Sequence, residues 1–387
     1  MTSAVHRSAL RRMTMRDPDE PHRAASSLEL LFDLVFVVGV SFASVGLHHD
    51  LGEGEVARGV LAYTTAFFGL WWAWMNFTWF ATSFDTDDWL YRIATVVQMG
   101  GALTYAAGLP ALMNLEHPDF TLGVTGYIIM RLPMSFQWFR ASWSEPSTRR
   151  ATLRYAVGIL VVQCYWVLLL VVPDDMKYPT FFVGIVLELG VPVFAEGAGS
   201  TPWHSRHITE RYGLFTLIVL GESILASTNA VVEVSHSTEH LAELVLLAAT
   251  SLVIIVCFWW IYFAFPQHGL LTSIRTALGW GYGHYVVFAS AAALSAGIEI
   301  QLDSSSVHLS SVAAAATLAV PCAVYLAMVW FLVVRRQSSR IVNAAVPALA
   351  VLVALASFVP HAPQVVAALM VVAVVTVVSG RGRRSSL

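Results

Sequence analysis

Twelve apolar runs, each of about 18 to 25 residues, follow one another along this chain with only short polar stretches between them. They lie near 28–47, 57–80, 90–113, 120–142, 150–172, 177–195, 210–231, 241–264, 279–301, 310–334, 342–359 and 362–379. Segments that cross hydrocarbon must satisfy their backbone groups internally, which a helix does unaided. The pattern therefore predicts an all-α polytopic membrane protein of about twelve transmembrane helices. The last two runs are parted only by Pro360, His361 and Ala362, and can equally be one kinked element, so the expected count is ten to twelve.

Composition excludes the soluble alternative. Charged residues are 12% of the chain and hydrophobic ones 57%, against about 25% charged in soluble domains. So few charges could not cover the surface of a 387-residue soluble protein. No basic patch is interleaved with aromatics, which argues against nucleic acid as a partner. Cys164, Cys257 and Cys322 all fall in apolar runs without CxxC spacing, so neither a disulfide nor a zinc site is expected. Residues 1–27 are polar and Arg-rich and lack the apolar core of a signal peptide.

Basic residues set the orientation. With the N-terminus inside, Arg7, Arg11, Arg12, Arg16 and Arg23 are cytoplasmic, as are Arg92, Arg140, Arg149, Arg150 and Arg154. Arg206, Arg211, Arg275, Arg335, Arg336, Arg340, Arg381, Arg383 and Arg384 continue the series. Only Arg58 and Lys177 fall outside, and Arg131 lies within the fourth run. Both termini are thus expected in the cytoplasm, with 1–27 and 381–387 as tails, the first disordered, around a membrane domain at 28–380.

Two halves, 28–195 and 210–380, suggest an internal repeat. LFDLVFVVGVSFAS (31–44) aligns with LFTLIVLGESILAS (214–227), and WWAWMNF (71–77) with WWIYFAF (259–265). The W-x-Y at Trp89 and Tyr91 matches that at Trp280 and Tyr282. Halves with an even number of spans would be parallel repeats, as in transporters related by an axis along the membrane normal.

Charges inside the runs are the candidate functional groups. Arg131, Glu188 and Glu222 lie about eleven or twelve residues from a span end, near the midplane at ~1.5 Å per residue, and Glu299 lies in the ninth run. Unpaired, the three midplane charges would cost on the order of 10 kcal/mol together. Arg131 must find a carboxylate, Glu222 first and Glu188 second. The acid left over is either a protonated member of a structural pair or a proton or cation site.

A second group lies at the cytoplasmic ends. Glu29 and Asp33 are four apart and share a helix face. Asp85, Asp87 and Asp88 follow the second run; Asp87 or Thr86 is expected to cap the third helix, and Asp88 to pair with Arg92. His204, His207 and Glu210 are spaced by three, but in a loop where polar residues are expected anyway, so no metal is assigned. His284 is a candidate proton carrier. The tryptophans at 71, 72, 74, 79, 89, 259, 260 and 280 read mostly as interfacial anchors. No nucleophile elbow, zinc helix or phosphate loop is present, which leans against an enzyme.

LELLFDLVFVVGVS, WWAWMNFTWFATSFDTDDWLYRIATVVQM and ERYGLFTLIVLGESIL resemble the signature blocks of the bacterial low temperature requirement A (LtrA) membrane protein family. The resemblance runs from about residue 28 to 300. It implies that Glu29, Asp33, Asp85, Asp88, Arg92, Arg131, His204, Glu210, Arg211 and Glu222 occupy the family's polar positions. Where the family pattern closes its eighth span with Tyr-Phe-Asp, this chain has Tyr262, Phe263 and Ala264.

The expectation is a multi-pass plasma-membrane protein whose partner, besides lipid, is an unknown small solute, with no cofactor and an undetermined oligomeric state. A secondary transporter, proton-coupled through a midplane acid, is favoured; an intramembrane or cofactor-bearing enzyme and a non-transporting stress or scaffold protein are the alternatives. Reporter fusions after residues 50, 116, 175, 235 and 305 should read external, and those after 147, 205 and 338 internal. An internal reading at 235 would break both the map and the repeat.

Overall fold

The structure, a computed structural model, describes residues 11–18, 20, 23–114, 116–234, 241–302 and 307–380. Arg7, Arg381, Arg383 and Arg384, the tail 381–387 and the fusion points at 235 and 305 lie outside them. Among the described residues the fold is entirely helical, with twelve α-helices. They are α1 (Ser27–Gly52), α2 (Val56–Phe84), α3 (Trp89–Leu112), α4 (Thr121–Ser144), α5 (Arg149–Leu168) and α6 (Asp174–Glu196). Then come α7 (Ser205–Val234), α8 (Leu241–Tyr262), α9 (Ile274–Leu302), α10 (Ser311–Val329), α11 (Arg340–Leu355) and α12 (Ala362–Ser379). α11 and α12 are separate helices, parted where His361 takes a left-handed φ of 54°. By length and composition eight helices can cross a membrane: α1, α5, α6 and α8 to α12.

Local chemistry fixes several helix starts. At α1, Ser26 and Glu29 form a reciprocal capping box: the Ser26 amide donates to Glu29 Oε2 at 2.7 Å and the Glu29 amide to Ser26 Oγ at 3.3 Å. Asp88, rather than the expected Asp87 or Thr86, caps α3, its Oδ1 accepting from the Tyr91 amide at 2.9 Å. Ser310 and Ser339 cap α10 and α11.

The chain forms two compact units. The first takes Met1–Ala43 and Thr65–Arg211, the second Ser44–Thr64 and Tyr212–Leu387, so α1, α2 and α7 each contribute to both. Within the first, α3 to α6 pack as successive neighbours. Glycines let α3 and α4 approach backbone to backbone: a Cβ on Gly101 would lie 2.6 Å from the Met130 nitrogen, and one on Gly108 as close to that of Gly123. Small residues at such crossings are how helices associate where lipid offers no hydrophobic incentive. Within the second, α9 to α12 are successive neighbours and α8 packs on α12. There the Phe258 and Tyr325 rings stack at 3.8 Å, and Tyr63 donates to the Ala289 carbonyl at 2.7 Å.

One carboxylate ties the first unit together. Glu188 on α6 is fully buried and receives Arg131 Nη2 from α4 at 2.8 Å. Trp72 of α2 donates at 2.9 Å, Tyr127 of α4 at 2.9 Å, and Trp166 and Gln163 of α5 at 3.1 and 3.4 Å. Four helices thus converge on two oxygens. The expected first choice for Arg131, Glu222, is corrected: α7 leaves Glu222 half-buried with no ion-pair partner among the described residues. Depth alone, which is what the sequence supplies, ranked the two acids without saying which helix faces which. A cavity of about 20 Å³ abuts this hub, lined by Phe68, Gly69, Tyr105, Tyr127, Trp166 and Phe181 among others. It is large enough for about one water and too small for a solute.

The hub should be structural. Arg131→Met leaves Glu188 uncompensated and should lower stability by about 3 to 5 kcal/mol, read as thermal unfolding in nanodiscs. Adding Glu188→Gln should restore part of that loss, whereas adding Glu222→Gln should restore none; the reverse pattern would reassign the pair.

Candidate functional site

The first turns of α1 carry the second buried charge cluster, all of it within the first unit. Glu29 and Asp33 lie on one face because they are four residues apart, and both are buried. α7 brings Arg211, whose Nη1 lies 2.9 Å from Glu29 Oε1 and whose Nη2 lies 2.5 Å from Asp33 Oδ1. His207, one turn earlier on α7, sets its Nε2 3.0 Å from the same Glu29 oxygen. α2 completes the wall: Trp74 donates its indole N–H to Asp33 Oδ1 at 2.6 Å, and Thr78 Oγ1 lies 3.4 Å from Arg211 Nη2. Four of these side chains have buried polar atoms without a hydrogen-bond partner among the described residues: Asp33 Oδ2, Arg211 Nε and His207 Nδ1, and also Glu29 Oε1, Arg211 Nη1 and His207 Nε2, which meet only in the ion pairs just given.

A shell of backbone-directed contacts surrounds the cluster. Arg23 is buried and donates to the Thr82 carbonyl at 2.6 Å and to that of Ala81. A cation there meets the negative end of the α2 dipole. The Thr82 hydroxyl receives the His204 amide at 3.1 Å, and His204 Nδ1 receives the His207 amide at 3.1 Å. His204 Nε2 lies 2.8 Å from the Glu20 carbonyl, so the two histidines of the expected stripe serve different neighbours. Part of the stretch expected as a disordered tail thus makes specific contacts, and Met13 is fully buried.

Asp85 sits just past α2, 3.9 Å from Arg23. Burial raises its pKa to about 6, and the negative charge of Glu29 pushes the same way; Arg23 opposes this but spends its short bonds on carbonyls. Asp88 behaves oppositely. Burial also works against its ionisation, but Arg140, donating to Oδ1 at 2.9 Å and contacting Oδ2, and the amides of Tyr91 and Arg11 together hold its pKa below the usual carboxylate range. The expected Asp88–Arg92 pair is therefore corrected. Arg92 instead meets Asp87 with two bonds of 2.7 and 2.8 Å at an exposed position, because Asp88 turns inward as the cap.

Among the other sequence candidates, Arg131 and Glu188 form the fold hub described above. His284 lies in the second unit, fully buried. Its Nδ1 is 2.8 Å from the Trp280 carbonyl and its Nε2 3.0 Å from the Tyr262 hydroxyl, so one nitrogen donates and the other accepts in a neutral ring. Tyr212, Trp280 and Phe288 surround it. Glu299 faces His48 at 3.6 Å, also in the second unit. Ala264, where the family pattern has an acid, is buried.

Several partners were not legible as such. Trp72 and Trp74, read as interfacial anchors, are buried donors to carboxylates, and Trp71 and Trp280 are buried too; Trp89, Trp259 and Trp260 do present exposed rings. Tryptophan frequency alone cannot separate the two roles. An indole one helix away from a buried acid can be recognised only once the helices are paired.

Asp85 gives a pH signature. Its folded pKa lies above the unfolded value of 3.8, so the folded state holds the proton more tightly. The resulting stability is complete below about pH 4 and is lost as pH rises through about 6. Asp85→Asn should flatten that part of the stability profile measured by thermal unfolding; an unchanged slope would refute the assignment.

Comparison with known proteins places this geometry. The chain is 25% identical over 257 residues to an uncharacterised protein, RA0937, of Rhizobium meliloti (strain 1021). The match covers 64% of this chain and 60% of that protein, so this chain spans about three fifths of the relative's length. No solved structure matches. Residues 24–380, nearly the whole chain, match the profile of the family described as bacterial low temperature requirement A protein (LtrA), and the chain belongs to that family.

Proposed function

We propose that this protein is a multi-pass secondary transporter of the plasma membrane that couples a small solute to proton movement, with the Glu29–Asp33–His207–Arg211 cluster as the coupling group. In this reading all twelve helices span and both termini are cytoplasmic. The four helices that fall short of the apolar criterion are α2, α3, α4 and α7. They carry Trp74, Tyr91, Arg131 and Arg211 on buried faces, while α3 and α4 also present exposed apolar side chains such as Ile93, Val96, Leu132 and Phe136, so in this reading their polar groups face protein and their outer faces lipid.

The observation that carries the reading is a charge imbalance. Glu29, Asp33 and Asp85 are three carboxylates beside two guanidiniums, Arg23 and Arg211, and one imidazole. A buried site of that composition is neutral only after it takes up a proton. The scaffold alternative fits the Glu188 hub better, since five donors satisfy that carboxylate. It fits the α1 cluster less well, because there a carboxylate oxygen, Asp33 Oδ2, is buried without a hydrogen-bond partner among the described residues, whereas both oxygens of Glu188 are used. The repeat also gains support. Asp33 aligns with Thr216 and Trp74 with Tyr262; each pair is hydrogen-bonded in its own unit. The second unit would then hold an uncharged counterpart of the site.

Proteoliposomes loaded with a pH-sensitive dye test the proposal, challenged in turn with amines, amino acids and carboxylates. One class should evoke proton movement, and Glu29→Gln should abolish it without impairing insertion. Proton movement by no class would sink the transporter reading. Loss of coupling in Glu222→Gln, with Glu29→Gln and Asp33→Asn unaffected, would move the coupling group to Glu222.

A further inference from the structure

The four oxygens of Glu29 and Asp33 are not equivalent, and the difference identifies where a proton can sit. Glu29 Oε1 faces Arg211 Nη1 and His207 Nε2, and Oε2 accepts the Ser26 amide at 2.7 Å. A proton added to either oxygen would be driven against a hydrogen already there. Asp33 Oδ1 is likewise taken, by Arg211 Nη2 and the Trp74 indole. Glu29 Oε1 and Asp33 Oδ2 both lack a hydrogen-bond partner among the described residues, but Oε1 lies within 3.0 Å of Arg211 Nη1 and His207 Nε2, which leaves Asp33 Oδ2 as the oxygen with no ion-pair contact either.

We propose that Asp33 is the proton-binding group of the cluster and carries the proton on Oδ2, while Glu29 stays ionised. This rests on the proton-linked reading above and names the atom it requires. Protonation there leaves Oδ1 as a carbonyl oxygen, so Trp74 and Arg211 keep their bonds and no side chain has to move. A neutral hydroxyl without an acceptor costs far less in a dry interior than a carboxylate with one oxygen bare. The charges then balance: Arg211 with Glu29, Arg23 with Asp85, Asp33 neutral.

The neighbours that could compete are few. Glu29 on α1 and Arg211 on α7 face Asp33 directly; Arg23, Asp85, Tyr91 and His207 lie around Glu29. His207 is a rival acceptor: Glu29 beside Nε2 favours a second ring proton, but that proton would sit on Nδ1, which has no hydrogen-bond partner among the described residues, and burial together with Arg23 and Arg211 opposes the new charge. Asp33 accepts its proton where only a negative charge is removed.

The test needs no solute. Purified protein in nanodiscs is titrated while infrared difference spectra follow the stretch of a protonated carboxyl. Wild type should show titrating acid bands to which Asp85 also contributes; the component from Asp33 should disappear in Asp33→Asn and persist in Asp85→Asn. Trp74→Phe removes a donor that favours the ionised form, so the midpoint of the same band should rise, by roughly tenfold in proton affinity for a charge-assisted bond. This second variant keeps the test decisive should Asp33→Asn not fold. Persistence of the whole band in a folded Asp33→Asn, or a midpoint unmoved in Trp74→Phe, would overturn the assignment. A titrating band without solute-driven flux would refute transport and leave Asp33 standing. Proton-coupled flux with no Asp33 band would do the reverse.

Discussion

A carboxylate among membrane helices is tolerated only where donors converge on it, and the first unit is organised by two such convergences. At Glu188, an arginine, two indoles, a phenol and an amide arrive from α2, α4 and α5, and both oxygens are used. The acid fixes which faces of four helices meet. At Glu29 and Asp33, a single arginine is divided between two acids, and α2 supplies an indole to only one oxygen of Asp33. At Glu188 both carboxylate oxygens are used, although Arg131 Nε and Nη1 and Gln163 Oε1 stay unpaired. In the second cluster it is a carboxylate oxygen itself, Asp33 Oδ2, that has no hydrogen-bond partner among the described residues.

That contrast explains how one chain can keep several charges buried and give them different uses. A guanidinium delivers two parallel donors, and its delocalised charge can be shared across acids 2.5 and 2.9 Å away. Sharing halves the compensation each acid receives. The acid with the better remaining partners stays ionised, and here that is Glu29, which also belongs to the capping box at the α1 N-terminus where the helix dipole favours negative charge. Asp33, one turn deeper, has neither advantage. The difference in partners between the two acids therefore follows from where α1 begins.

How much of this could be read from the sequence depends on the kind of question asked. Apolar run length located the twelve helices of the described residues, eight of which are long and apolar enough to cross a membrane, and the spacing of Glu29 and Asp33 placed them on one face because helical periodicity imposes that. What a run does not encode is azimuth relative to other helices. Hence depth ranks Glu222 first for Arg131, while α6 turns Glu188 toward it. The tryptophans erred for the same reason: a ring at the membrane surface and a ring donating to a buried acid have identical sequence signatures. Asp88 was misassigned more locally. With Asp87 at a positive φ of 48°, the turn swings Asp88 into the cap position and leaves Asp87 for Arg92.

The second unit shows what happens when the acid is absent. Thr216 and Tyr262 occupy the positions that align with Asp33 and Trp74, and Tyr262 passes its hydrogen bond to His284, which returns it to the Trp280 carbonyl. Every member of that chain is neutral and every ring nitrogen of His284 is used, so no proton has to enter or leave for the site to be stable. His284, the candidate carrier by sequence, has surroundings closer to those of Glu188 than to those of Asp33: each of its ring nitrogens has a partner, as each Glu188 oxygen does. Whether each titrating atom has a partner, rather than the type of titratable residue, separates Glu188 and His284, which hold this fold together, from Asp33, the group proposed to take up a proton. Glu29 differs from Asp33 in that its unbonded oxygen lies within 3.0 Å of Arg211 and His207, although all four residues are equally hidden from solvent.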